Sequence, residues 1–133
     1  MTMTERSRNT LLRFLVVGGG LALVYATLAA LATSHLPLPK ALASGMVWVL
    51  CIPLGFWCHR RFTFTTRTPH RHGLWLYAAT QGLGIGIAAS VGYLLANGAF
   101  RHDLFVHLLA SGLAAVASYL ISRWIVFPLP SAD

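Results

Sequence analysis

The chain has 133 residues, of which 56% are hydrophobic and only 10% charged, against roughly 25% charged in soluble domains. A single domain fits that length, and no water-soluble core of that size could hide so much apolar surface, so an ordinary soluble protein is excluded. Ten Lys and Arg against three acids give a net charge of +7, but the cations stand at the ends of long apolar runs and not across a folded polar surface, which excludes nucleic acid as a partner.

A polar tail at 1–10 leads into an apolar run at 11–34, long enough to cross a hydrocarbon core of about 30 Å. The run exceeds a usual signal-peptide core and three further spans follow it, so it reads as a retained helix. Pro37 and Pro39 lack backbone donors and make a short turn. A second span at 41–64 contains Pro53, which removes one backbone hydrogen bond, and Gly55, which eases bending. The pair predicts a hinge. Residues 65–72 are polar and form a middle loop with Arg67 and Arg71. A third span covers 74–100 and a fourth 104–127, separated by a short loop of Arg101, His102 and Asp103. Pro128 and Pro130 then open a tail at 128–133. The expected fold is an all-α membrane protein of four transmembrane helices in two hairpins.

Orientation follows from where the cations lie. One side holds Arg6, Arg8, Arg13, Arg60, Arg61, Arg67, Arg71 and Arg123, eight in all, and the other only Lys40 and Arg101. The positive-inside rule puts both termini and the middle loop in the cytoplasm, in a multi-pass protein of the cytoplasmic membrane. Cys51 and Cys58 are seven residues apart on one helix, about 10 Å along its axis and beyond disulfide reach, so they read as packing residues.

An internal repeat links the hairpins. Residues 55–64 read GFWCHRRFTF and 118–127 read SYLISRWIVF, both following small, aromatic, two apolar, polar, Arg and a final Phe. Upstream, LASG at 42–45 recurs at 109–112, with its distance to the Arg differing by four residues. Both aromatic blocks end a helix on the same side, so the hairpins are read as parallel repeats, an arrangement seen in transporters that bind ligand between halves.

With the opening Arg13-Phe-Leu-Val-Val-Gly18, these blocks resemble the GtrA-like family of small four-helix membrane proteins linked to polyprenyl-phosphate sugars. The resemblance runs from about residue 12 to 127. The chain departs from the family pattern at Gly55 and Ser118, where Asn is usual, at His59, which takes an Asn/Ser position, and at Phe62 and Ile125, which take Trp positions.

Moving a lipid-linked sugar requires a site for an anionic phosphate at the membrane face, and a guanidinium remains charged and matches phosphate oxygens with a planar fork. Arg13, Arg60 and Arg123 fall near the ends of three spans on one side and are expected to form a phosphate cluster, with His59 beside them as a further donor. Cations near helix ends also serve as topology anchors. Arg61, Arg67 and Arg71 are read that way, facing membrane lipids. Gln81 and Asn97 are the uncharged polar residues worth noting in the third span, where they could line a sugar path or bond across helices. The glycines at 18–20 and at 82, 84 and 86 lack the Lys-Ser/Thr of a phosphate loop and predict close helix packing.

His70, His72, His102 and His107 make no metal pattern with the cysteines, and no cofactor is implied. Without a carboxylate pair, a nucleophile triad or a nucleotide motif, an enzyme is not expected. A proton-coupled multidrug antiporter needs a carboxylate within a span, and none of Glu5, Asp103 and Asp133 falls in one as drawn. The resemblance implies translocation of a polyprenyl-phosphate-linked sugar for cell-surface polysaccharide glycosylation. The alternative is a non-catalytic subunit that anchors a polyprenyl-phosphate glycosyltransferase. Four short helices enclose little volume, so a homo-oligomer or a complex with a membrane glycosyltransferase is expected.

Overall fold

The computed structural model describes residues 3–63 and 73–121. These form α1 Met3–His35, α2 Lys40–Cys58, α3 Gly73–Leu95 and α4 Phe100–Ile121, with a π-helical turn His59–Thr63 continuing α2. Each helix packs against its neighbours in the cyclic order α1, α2, α3, α4. That order sets α1 diagonal to α3 and α2 diagonal to α4, and a single axial space lies between them.

Boundaries differ from the hydropathy reading where local chemistry intervenes. Helix α1 begins at Met3, inside the segment expected as a tail, because nothing in 4–9 breaks a helix and Glu5 in the first turn complements the helix dipole. Its 33 residues span about 50 Å at 1.5 Å each. Helix α3 ends at Leu95, where the sequence had suggested 100, and α4 starts at Phe100, where it had suggested 104. The cause is Gly98, whose φ of +89° lies in the left-handed region that favours glycine and turns the chain. Asp103 therefore lies on helix α4 and not in a loop. Three stretches, Arg8–His35, Lys40–Thr63 and Tyr77–Leu95, are long and apolar enough to cross a membrane; α4 carries Arg101 and Asp103 near its start and is not among them.

The bundle is built inside out relative to a soluble one. Val16, Leu50, Tyr93 and Phe105 are all more than 70% exposed. The buried positions are mainly alanines (Ala26, Ala29, Ala30, Ala88, Ala110 and Ala114), together with polar side chains. Small residues let helix backbones approach where lipid removes the hydrophobic drive for association, and the large apolar side chains face outward. Four glycines make such approaches: a Cβ on Gly84 would meet the Trp48 ring at 2.6 Å, one on Gly55 the Tyr77 hydroxyl at 2.7 Å, and those on Gly45 and Gly92 would lie against the facing helix. The glycine-packing expectation holds for Gly84 alone among its six positions. Gly18, Gly19, Gly20, Gly82 and Gly86 have open space where a Cβ would be: Gly18 borders the central cavity and the other four lie on exposed faces.

The two short turns meet at one end of the bundle, called here the turn end. Asp103 is fully buried there. Its carboxylate accepts hydrogen bonds from the Thr33 hydroxyl at 2.8 Å, the Asn97 N–H at 2.9 Å and the Gly98 N–H at 3.1 Å. His102 Nδ1 lies 3.2 Å away from it. One side chain thus ties α1 to the α3–α4 turn. Lys40 Nζ reaches the Ala96 carbonyl at 3.3 Å, joining the start of α2 to the end of α3, where an unpaired carbonyl and the helix dipole favour a cation.

The LASG match does not mark equivalent depths. Ser44 is buried near the start of α2 and donates to the Lys40 carbonyl; Ser111 donates to the His107 carbonyl halfway along α4. Both serines make the same local back-bond to the carbonyl four residues earlier, which accounts for the shared residue type without a shared position.

Replacing Asp103 with Leu strands the buried Thr33 hydroxyl and two part-buried turn N–H groups and should lower unfolding stability in detergent by about 3 kcal/mol. Thr33→Val removes only one interhelical bond and should cost about 0.6 kcal/mol. Thermal unfolding followed by circular dichroism compares the two, and equal effects would contradict the central place given to the carboxylate.

Candidate functional site

A cavity of about 150 Å³ lies between all four helices. It runs from the level of Phe14 and His59 to that of Tyr25 and Trp48, about 16 Å along α1 at 1.5 Å per residue. Beyond Tyr25 the buried alanines of α1 and α4 and the Asp103 network fill the bundle. The cavity thus occupies the end opposite the turns. Its polar wall comes from Tyr25, Tyr77, Thr80, Gln81, Ser111 and Ser118, with His59 at one end, and Trp48 and Phe14 supply aromatic faces. Among the described residues it is lined by no carboxylate, Lys or Arg. A larger concavity of about 380 Å³ is an open apolar groove between Leu28 and Leu36 on α1, with little that could orient a polar ligand.

The local sequence explains the wall. On α4, Ser111, Ala114, Ala115 and Ser118 repeat at three and four residues, so one face carries them all inward. Gly55 lacks a side chain where the Tyr77 hydroxyl from α3 comes closest, which lets that ring reach the axis. The π-helical turn at His59–Thr63 then rotates the chain. It puts His59 inward, stacked on Phe14 with ring centroids 4.8 Å apart and Nδ1 3.2 Å from Thr63 Oγ1, and leaves Arg60 and Arg61 exposed. Such turns recur at functional sites because they re-aim side chains without ending the helix.

A family model described as GtrA/DPMS, transmembrane domain, matches residues 13–127. The chain belongs to the GtrA/DPMS transmembrane-domain family. No curated protein and no solved structure matches it. As a GtrA/DPMS member it is a multi-pass membrane protein of polyprenyl-phosphate sugar-related processes, in a family whose members are generally non-catalytic.

Within this GtrA/DPMS domain the expected site residues separate into groups. Arg13 precedes Phe14 and Arg60 follows His59, so the two cations flank the stacked ring pair at one depth, both exposed. Arg123 lies outside the described residues. His59 faces the cavity and Arg60 faces away from it, so the two neighbours do not converge on one point. Gln81 is buried on the cavity wall. Asn97 is not on the span: it lies in the turn after α3, exposed, with its side-chain oxygen accepting from the Ala99 N–H.

Pro53 is exposed on the outer face of α2, and the departure from α-helix comes six residues later, at His59. Sequence reasoning gave no site role to Tyr25, Tyr77 and Thr80, nor to Ser111 and Ser118, which it marked only as parts of the internal repeat. Their spacing on α1, α3 and α4 was readable, but which helical face turns inward was not, since apolar residues surround every helix.

Gly55→Ala forces the Tyr77 hydroxyl to move, and overpacking of this kind costs about 1–3 kcal/mol. Gly19→Ala meets open space and should leave stability within about 0.5 kcal/mol. Thermal unfolding of both variants in the same detergent tests the contrast.

Proposed function

We propose that the protein translocates a polyprenyl-phosphate-linked sugar across the cytoplasmic membrane for cell-surface polysaccharide glycosylation. The observation that carries this reading is the neutral, hydrogen-bonding cavity inside an otherwise apolar bundle, with exposed arginines at the end where it begins. A sugar crossing hydrocarbon needs its hydroxyls satisfied at every depth, and hydroxyl and amide side chains supply both donors and acceptors. The lipid's phosphate stays at the membrane face, where Arg13, Arg60 and Arg123 offer bidentate partners. In this reading all four helices cross the membrane and the eight-to-two cation bias puts both termini in the cytoplasm.

In this reading the cavity occupies the cytoplasmic half of the bundle, and the Thr33–Asp103 and Lys40–Ala96 bonds hold the outer end together. Release of the sugar on the far side requires those bonds to part. The bundle's narrow interior favours work as a homo-oligomer or beside a membrane glycosyltransferase.

Purified protein in vesicles should move a labelled polyprenyl-phosphoryl sugar between leaflets, and an Arg60→Ala, Arg123→Ala double variant should lose at least about tenfold of that rate, the effect of 1.4 kcal/mol. Gln81→Leu should slow the sugar-bearing lipid selectively. If vesicles with wild-type protein show no movement above protein-free ones, and a glycosyltransferase loses abundance when this chain is absent, the protein is an anchoring subunit and the translocation reading falls.

A further inference from the structure

At the closed end of the cavity, and packed just behind it, two polar groups are buried without partners. The Tyr25 side chain lines the cavity and is 3% exposed, yet its hydroxyl makes no hydrogen bond. His107 on α4 is fully buried, and neither ring nitrogen has a partner. The rings meet edge to face with centroids 5.8 Å apart, and His107 lies one turn before Ser111, which is on the cavity wall. An unsatisfied buried donor or acceptor costs about 1–3 kcal/mol, and three such atoms in one place call for an occupant.

The surrounding chemistry narrows what that occupant is. No charged side chain lines the cavity among the described residues, so an ion would be desolvated without compensation. Tyrosine offers one donor and accepting lone pairs, and neutral imidazole one donor and one acceptor, a set that matches hydroxyl groups, which are also both. Trp48 stands against Tyr25 with centroids 4.7 Å apart and adds an aromatic face beside them. The volume of about 150 Å³ equals roughly five waters at 30 Å³ each. It has the scale of a single sugar unit and not of an oligosaccharide.

We infer that Tyr25 Oη, backed by the buried His107 imidazole, forms a recognition site for the hydroxyls of one monosaccharide unit at the closed end of the central cavity. This rests on the translocation reading for the sugar's delivery, and names the residues that read it. Asp103, one turn before His107, is engaged by Thr33, Asn97 and Gly98 and leaves the imidazole to the ligand.

Binding is measured on the full chain in nanodiscs with three probes: polyprenyl-phosphoryl glucose, polyprenyl phosphate without sugar, and free glucose. Wild-type protein should bind the sugar-bearing lipid more tightly than the bare one. Tyr25→Phe, which keeps the ring against Trp48, and His107→Leu should each weaken the sugar-bearing lipid about tenfold, the equivalent of 1.4 kcal/mol, and leave the bare lipid unchanged. Competition by free glucose at equal strength would assign the same hydroxyl site to a soluble sugar.

In wild-type protein with 15N-labelled histidine, the His107 ring signals should shift with the sugar-bearing lipid and not with the bare one. This readout does not depend on any variant folding. Unchanged signals, or variants that lose both lipids alike or neither, overturn the site and leave water as its occupant. Selective binding without transbilayer movement in vesicles would instead keep the site and remove the translocation reading.

Discussion

A carboxylate with no solvent exposure, set in a bundle without a fully charged partner beside it, is tolerable only because donors surround it. Asp103 collects the Thr33 hydroxyl and the N–H groups of Asn97 and Gly98, and each comes from a different structural need. The two N–H groups belong to a turn that has left α3 and not yet entered α4, so they lack helical partners. The hydroxyl belongs to α1. Satisfying the turn therefore also fixes α1 against α4, and the left-handed Gly98 exists to aim one of those donors. Two turn N–H groups that have no helical partner are thus satisfied by a single side chain.

That closure determines the shape of the rest. With Asp103 and Lys40 drawing the four helices together at the turn end, alanine and glycine contacts can bring backbones close, and the axial space narrows to nothing beyond Tyr25. Towards the other end the side chains enlarge. Trp48, Tyr77, Phe14 and His59 hold the helices apart, and the polar cavity is the space they leave. The described helices are thus packed tightly at the turn end and spaced by large side chains toward the other.

The arginines and the cavity do different work. Arg60 and Arg61 point outward because the π-helical turn gives the inward direction to His59, so charge stays at the headgroup level and neutral hydrogen-bonding groups occupy the interior. In the proposed function, the anionic part of the lipid would remain with the arginines and its polar part would enter the cavity.

Much was readable from residue order. Apolar run length, the prolines at 37 and 39 and the charge counts were enough for a helical membrane protein, and the Arg13-to-Phe127 motifs for its family. These depend on local composition and on spacing along one helix. What only the tertiary structure decided was orientation around each helix axis. In a membrane chain both faces of a helix are apolar, so periodicity does not reveal which side turns inward. That is why Gly84 could not be told from Gly82 and Gly86, why Tyr25 and Thr80 went unmarked, and why Asn97 was counted with Gln81. Asp103 was the sharpest case: from the sequence it is an acid in a polar loop, and it becomes the buried centre of the turn end only once Thr33, seventy residues earlier in the chain, is brought to it.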